Sequence, residues 1–340
     1  MKIEGNTNVR SQRFGAGSVD GLGEELGRFV VTTMDIPWRV TKDRLGGSPA
    51  AVVMVESMEL DVIERQIAAA PDCDTVVGIG GGQAIDLAKY LAWKRGIRLV
   101  SIPTVLSVDA FVTPAAGVRR NHQVEYLGAS SPDPLVIDYD LLRTAPVDLN
   151  VAGVGDLLSI HTATFDWVLA EQRGKSEYAF SQQDVDAARS ILNDVMAKAS
   201  DIRNCTDAGL QAIVDGYMRI NTICLPVGHY RVEEGSEHYL FYELEERLAR
   251  PFIHGHIVGL GIFLLSRLQQ NESDNVTQFM DDVGLKYHPV DMAITRRDLT
   301  ASLLELQEFI GRRPHLWYTV INEQPLTSQW IEAALSTLRF

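Results

Sequence analysis

Gly80, Gly81 and Gly82 follow the β-rich run Thr75, Val76, Val77, Gly78 and Ile79, and they precede a segment whose spacing predicts a helix over 84–94. A buried strand that empties into consecutive glycines at the start of a helix is a narrow structural statement. Glycine lets backbone N–H groups approach a ligand closely. A helix N-terminus adds unpaired donors and a partial positive charge, so the segment has the physics of a pyrophosphate site. The spacing departs from the common GxGxxG fingerprint, and no Lys-Ser/Thr pair follows the glycines as in a P-loop. The plainer reading is a tight strand-to-helix turn, with Asp86 and Lys89 as a surface ion pair on the helix.

The surrounding pattern predicts a parallel sheet. Residues 29–33, 50–55, 75–79, 97–102 and 134–138 read as short apolar strands, with a helix over 60–70 and Pro103 ending the fourth strand. Continuous apolar strands spaced by helices imply a doubly wound layer covered on both faces. After about Pro146 the texture changes. Helical spacing predicts helices over 148–171, 183–200, 207–222, 235–247, 254–271 and 299–309, punctuated by Pro251, Pro289 and Pro314. The expectation is a Rossmann-like α/β domain over 1–147 and an all-α helical domain over 148–340. Asp35, just beyond the first strand, is placed to hold an adenosine ribose hydroxyl, which leans toward NAD over NADP because a carboxylate repels a ribose phosphate.

The 340 residues carry a formal charge of −14, which argues against nucleic acid as a partner. Three scattered cysteines, Cys73, Cys205 and Cys224, suit neither a disulfide frame nor a cysteine metal site, and they fit a reducing cytoplasm. The longest apolar run, Ile257 to Leu265, is far short of a membrane span, and the N-terminal segment has no apolar core of a secretory signal.

The second half holds the other chemistry. Asp156 reads as a residue at the start of the first helix of the bundle, where the helix dipole favours a carboxylate. His238 lies within a helix, and His254 precedes the most apolar one. Each alone is more simply a cap or core residue. As a set, one carboxylate and two imidazoles with a fourth position open form the pattern of catalytic zinc, and the same donors suit iron(II).

Together these residues resemble the iron-containing alcohol dehydrogenase and glycerol dehydrogenase superfamily, whose fold is that of dehydroquinate synthase, and within it most of all the sn-glycerol-1-phosphate dehydrogenases. The resemblance runs from Phe14, Gly15 and Gly17, through Gly78–Asp86 and Pro103–Asp109, to Trp317–Asn322. It implies that Gly80, Gly81, Gly82, Gln83 and Ala84 bind the pyrophosphate of NAD or NADP. Thr104 and Ser107 would line the nicotinamide side, and Thr113 would make a further cofactor contact. Asp109 would touch a substrate hydroxyl in the reaction. Asp156, His238 and His254 would hold one divalent metal, zinc first, with iron or nickel as alternatives. The implied activity is oxidation of a secondary alcohol in a small polyol or polyol phosphate by a homo-oligomer.

Two positions depart from that pattern. The resemblance leads one to expect a substrate histidine where Tyr242 stands, and His-Gly-Glu where the chain has His254, Gly255 and His256. Tyr242 therefore takes the substrate position, and His256 reads as a residue supporting the site or the start of its helix. A sugar-phosphate cyclase resembling dehydroquinate synthase is the nearest rival, and a non-catalytic binding protein on the same scaffold is the other. Asp156 in place of a glutamate ligand and the sparse lysines argue against the cyclase.

Overall fold

The computed structural model describes residues 3–340. The chain divides into two compact units, one ending at Asn150 and the other running from Val151 to Phe340.

The first unit carries the strands β1 (Gln12–Phe14), β2 (Phe29–Thr33), β3 (Ala51–Met54), β4 (Thr75–Gly80), β5 (Arg98–Pro103), β6 (Ala116–Arg120), β7 (Gln123–Leu127) and β8 (Pro132–Ile137). Its helices are α1 (Asp35–Leu45), α2 (Leu60–Ala69), α3 (Gly82–Arg95) and α4 (Tyr139–Leu142). Six strands form one parallel sheet in the order β1-β8-β5-β4-β2-β3. Neighbouring residues of one strand serve opposite faces. Val30 and Val76 pack with Ile63, Leu87 and Leu91 on one side. Val31 and Val77 pack with Leu22, Leu45 and Leu141 on the other. This two-sided burial explains why the strands read as continuous apolar runs. The chain turns to opposite sides of β2 after β2 and after β3, so the order reverses between β2 and β4. In open parallel sheets that reversal opens a crevice outside the carboxyl ends of the strands.

Several expectations change in detail. Pro103 does not stop β5 but is its last residue, in register with Gly80. It costs the ladder only one donor at the strand end. The antiparallel pair β6–β7 and the short edge strand β1 were not anticipated. Asn121 and His122 join β6 to β7 with φ of 53° and 66°. That is the left-handed geometry of a tight hairpin, reached here without glycine.

The second unit is helical, with no strand among its described residues. It contains α5 (Val147–Gln172), whose first turn precedes the division, α6 (Gln182–Met196), α7 (Ala199–Arg203), α8 (Asp207–Val227), α9 (Ser236–Leu248) and α10 (His254–Gln269). These are followed by α11 (Ser273–Val283), α12 (Arg296–Gly311), α13 (Val320–Glu323) and α14 (Ser328–Leu335). The segment expected as one helix over 183–200 is two, α6 and α7, and α8 runs past Thr222 to Val227 with Pro226 inside it. α9 packs on α10 and α12. No helix is long and apolar enough to cross a membrane among the described residues.

Two glycine contacts set the helix spacing. A Cβ on Gly155 would overlap the Gly255 carbonyl, and one on Gly255 would overlap the Ala152 carbonyl. A Cβ on Gly261 would lie 2.6 Å from the Glu237 carbonyl oxygen. Hence α10 meets both α5 and α9 backbone to backbone.

Candidate functional site

In the first unit the sequence candidates gather at the carboxyl ends of β2, β4 and β5. Gly80 takes φ +148°, a conformation that L side chains rarely adopt, and Pro37 of α1 lies against it. Gly81 is the N-cap of α3 and provides no side-chain cap. The first-turn N–H groups of Gly82, Gln83 and Ala84 therefore point out of the helix start as donors. A Cβ on Gly81 would lie 3.0 Å from Val105 Cγ2, and one on Gly82 would lie 2.8 Å from Val108 Cγ1. The 105–108 segment, which includes Ser107, thus lies directly against the turn. Thr104 is buried and donates its N–H to the Gly80 carbonyl at 3.0 Å. Asp35 opens α1, with its side chain 78% exposed and paired with Arg39 at 3.1 Å. The fit to a diphosphate is sound: a helix start without a side-chain cap, wrapped by a turn that only glycine can make.

Asp86 and Lys89 are not the expected surface pair. Their side chains are 13% and 1% exposed, with Lys89 Nζ 2.7 Å from Asp86 Oδ1. Burial pushes the Asp86 carboxyl up, and the Lys89 charge and hydrogen bond oppose that shift. Lys89 Nζ also donates to the Thr113 carbonyl at 3.3 Å and to its hydroxyl at 3.4 Å. Thr113 in turn donates to the carbonyl of Asp109, the residue that opens the 3-10 turn Asp109–Phe111. The buried pair therefore ties α3 to the segment carrying two candidate residues, Thr113 and Asp109.

In the second unit three residues distant in sequence converge. Asp156 is not at a helix start: it is buried in the interior of α5, two turns beyond Val147, so the dipole reading fails. His238 lies in the first turn of α9, and His254 is the first residue of α10. His254 Nε2 is 3.0 Å and His238 Nε2 3.5 Å from Asp156 Oδ1. One donor atom from each of the three lies within 4.8 Å of the others. Donors about 2 Å from a tetrahedral ion are themselves about 3.3 Å apart, so the set fits a divalent metal. The glycine contacts of α5 with α10 make the convergence possible, because Gly155 and Gly255 adjoin Asp156 and His254.

The supporting shell was not read from the sequence. Glu237 Oε1 accepts from His238 Nδ1 at 2.8 Å and from the Gly235 N–H at 2.7 Å. This turns His238 Nε2 toward Asp156, as outer carboxylates do for metal-binding imidazoles. The Tyr217 hydroxyl reaches Asp156 Oδ2 at 3.2 Å and the Gly153 carbonyl at 2.7 Å. Asp166 accepts from the Ser236 N–H at 2.9 Å and from the Val320 N–H at 2.8 Å, so one carboxylate caps both α9 and α13. Glu234 accepts from the Tyr242 hydroxyl at 3.0 Å, and the Tyr242 ring stands 6.4 Å from that of His238. His256 is buried in the first turn of α10.

The charges of the set are strongly coupled. Burial disfavours ionised Asp156, yet the charges and hydrogen bonds of His254 and His238 outweigh it and hold the carboxyl well below the usual range. Burial lowers His238, but its bonds to Asp156 and Glu237 dominate and raise it well above an ordinary imidazole. Burial together with the charge of Glu237 pushes Asp166 up to about 6. Burial raises Glu234, opposed by the charge of His238 and the Tyr242 hydroxyl.

Comparison with known proteins adds a family context. Residues 39–146 match the family described as iron-containing alcohol dehydrogenase. A protein of Hyperthermus butylicus named glycerol-1-phosphate dehydrogenase, NAD(P)+, is 26% identical over 92% of this chain and 92% of its own. One of Halorubrum lacusprofundi with the same name is 26% identical over 96% of this chain and 95% of its own. The crystal structure of a probable glycerol dehydrogenase from Sinorhizobium meliloti superposes with a TM-score of 0.69 at 23% identity, covering 96% of both chains, a likeness of fold.

Proposed function

We propose that this chain, which belongs to the iron-containing alcohol dehydrogenase and glycerol dehydrogenase superfamily, is a metal-dependent, NAD(P)-linked dehydrogenase acting on a secondary alcohol of a small polyol or polyol phosphate. The observation that carries the reading is the presence in one chain of a glycine-wrapped helix start and an Asp156-His238-His254 donor set. The bound groups would supply Lewis acidity at the alcohol oxygen and a ring that accepts hydride. Everything else falls to the protein. Asp156, His238 and His254 hold one divalent ion, zinc first, with iron or nickel as alternatives that the same donors also suit. Glu237 fixes the His238 ring. Gly80, Gly81, Gly82, Gln83 and Ala84 bind the pyrophosphate, Thr104 and Ser107 line the nicotinamide side, and Thr113 supports that segment. Asp35 receives the adenosine ribose and favours NAD. Asp109 and Tyr242 contact substrate hydroxyls. Three free thiols, Cys73, Cys205 and Cys224, suit the cytoplasm, and a homo-oligomer is the expected assembly.

The test is a zinc-loaded preparation offered NAD or NADP with glycerol, glycerol-1-phosphate and small diols, followed by the near-ultraviolet absorbance of reduced nicotinamide. Net reduction is expected, and His238→Ala should lose metal and turnover together. Bound metal with no net reduction on any substrate would move the assignment to the cyclase chemistry that returns its cofactor oxidised.

A further inference from the structure

The segment 109–113 carries two of the candidate residues, and Lys89 grips it from α3 through Thr113. A second grip comes from a distant part of the chain. Asn8 lies ahead of β1, and its Nδ2 donates to the carbonyls of Val112 and Ser130, both at 3.0 Å. Its Oδ1 accepts from the Ser131 hydroxyl at 2.9 Å, which orients the amide with its nitrogen toward the two carbonyls. The Ser130 hydroxyl donates to the Lys89 carbonyl at 3.0 Å. The bonds therefore close a ring: Asn8 to Ser130, Ser130 to Lys89, Lys89 to Thr113, and back through Val112 to Asn8. The Val112 N–H donates to the Asp109 carbonyl at 2.9 Å. The residue that Asn8 holds by its carbonyl is thus bound to Asp109 by its N–H.

The residue type suits the place. Asn8 has φ 64°, in the left-handed region that asparagine tolerates better than most residues. Its amide brings two donor hydrogens to two carbonyls and one acceptor to a hydroxyl, whereas an aspartate of the same shape brings acceptors alone.

We propose that Asn8 is a positioning residue for the 109–113 segment, acting through Val112 to hold Asp109 and Thr113 ready for their ligands. The inference rests on the dehydrogenase reading, which assigns Asp109 to the substrate and Thr113 to the cofactor. A segment gripped from both sides gives up its freedom on folding. A segment gripped only from α3 gives it up when the ligands bind, and that cost is taken from affinity. Bound ligands then restore the arrangement, so KM moves and kcat does not.

The experiment uses the full zinc-loaded chain as wild type, Asn8→Gly, Asn8→Asp and Ser131→Ala. Asn8→Gly keeps the φ and removes the amide, while Asn8→Asp keeps the φ and the shape but points an acceptor at two carbonyls. The readouts are the NAD dissociation constant by titration calorimetry, KM and kcat with the best alcohol, zinc affinity and the denaturant midpoint. In Asn8→Gly the NAD dissociation constant and the KM values should rise about tenfold, on the order of two lost hydrogen bonds. Asn8→Asp should exceed this, and Ser131→Ala, which frees the amide to turn, should show a smaller rise. Zinc affinity and kcat should stay within about threefold throughout. A lowered midpoint with unchanged NAD affinity in the folded variants makes Asn8 purely structural and overturns the proposal. A fall in kcat at unchanged KM overturns it too. A wild type that binds NAD but reduces it with no alcohol overturns the dehydrogenase reading alone, because the dissociation constants still show whether Asn8 tightens the cofactor. A wild type that binds neither NAD nor NADP overturns both.

Discussion

Glu237 and His238 are neighbours in sequence and partners in space: Oε1 of the first accepts from Nδ1 of the second at 2.8 Å. The bond fixes the ring with Nε2 facing Asp156, which would leave that nitrogen for the proposed ion and raise its basicity as a donor. Replacing Glu237 by Gln should leave the fold in place and weaken zinc binding by about 10- to 100-fold. Competition with a chromophoric chelator measures this directly. Undiminished affinity would remove Glu237 from the metal's support.

Gly155→Ala should be far more damaging than its one added methyl suggests. The new Cβ would overlap the Gly255 carbonyl, so α5 and α10 must separate, and Asp156 and His254 separate with them. A loss of about 3 kcal/mol or more is expected from such overpacking, with metal lost alongside. Denaturant unfolding and metal content in the same preparation test both halves of the statement.

Lys89→Met should strand Asp86 without its partner. Removing one member of a buried pair costs about 3–5 kcal/mol, whereas replacing both with apolar groups is often near neutral. The double variant Asp86→Leu with Lys89→Met should therefore recover much of the single variant's loss. Because Lys89 also bonds Thr113, cofactor affinity should fall in the single variant as well. Equal instability in single and double variants would contradict the account.

Asp166 makes the metal-free protein's stability depend on pH. Its carboxyl is pushed up to about 6 in the fold, against about 3.9 in an unfolded chain. Between these values the folded state holds a proton that the unfolded state has released, so stability falls as pH rises from about 4 to about 6. Asp166→Asn should flatten this limb of the profile, whatever its effect on absolute stability, because Asn does not titrate. Chemical denaturation at several pH values, with wild type and variant compared, reads the slope.

The sheet was legible because a parallel strand buried on both faces shows as an unbroken apolar run, and because the turn at Gly80 admits only glycine. The hairpin β6–β7 was not, since Asn121 and His122 replace the Asn-Gly signal that marks such turns. Asp156 was singled out by type and by resemblance, and the structure brings it beside His238 and His254, but it was misplaced along its helix. The residues around it are buried on every side, so no apolar stripe phases the helix or marks its start. Glu234, Glu237 and Asp166 escaped for a common reason. In sequence each looks like an ordinary solvated acid, and only the packing of α5, α9 and α10 reveals that each holds a buried or half-buried hydrogen bond. Lys89 shows the same blindness from the basic side, an expected surface cation that lies in the core.

The contact of Gly155 with Gly255 works as a ruler. It fixes how far apart α5 and α10 stand at the level of their carbonyls, and the Asp156 carboxylate and the His254 ring inherit that separation. The spacing of the two helices at this level is set by backbone, whereas the His238 ring is held by the Glu237 side chain. The molecule thereby separates two tasks: a backbone gauge sets the gap between α5 and α10, and a side-chain bond, Glu237 to His238, aims a ring beside it.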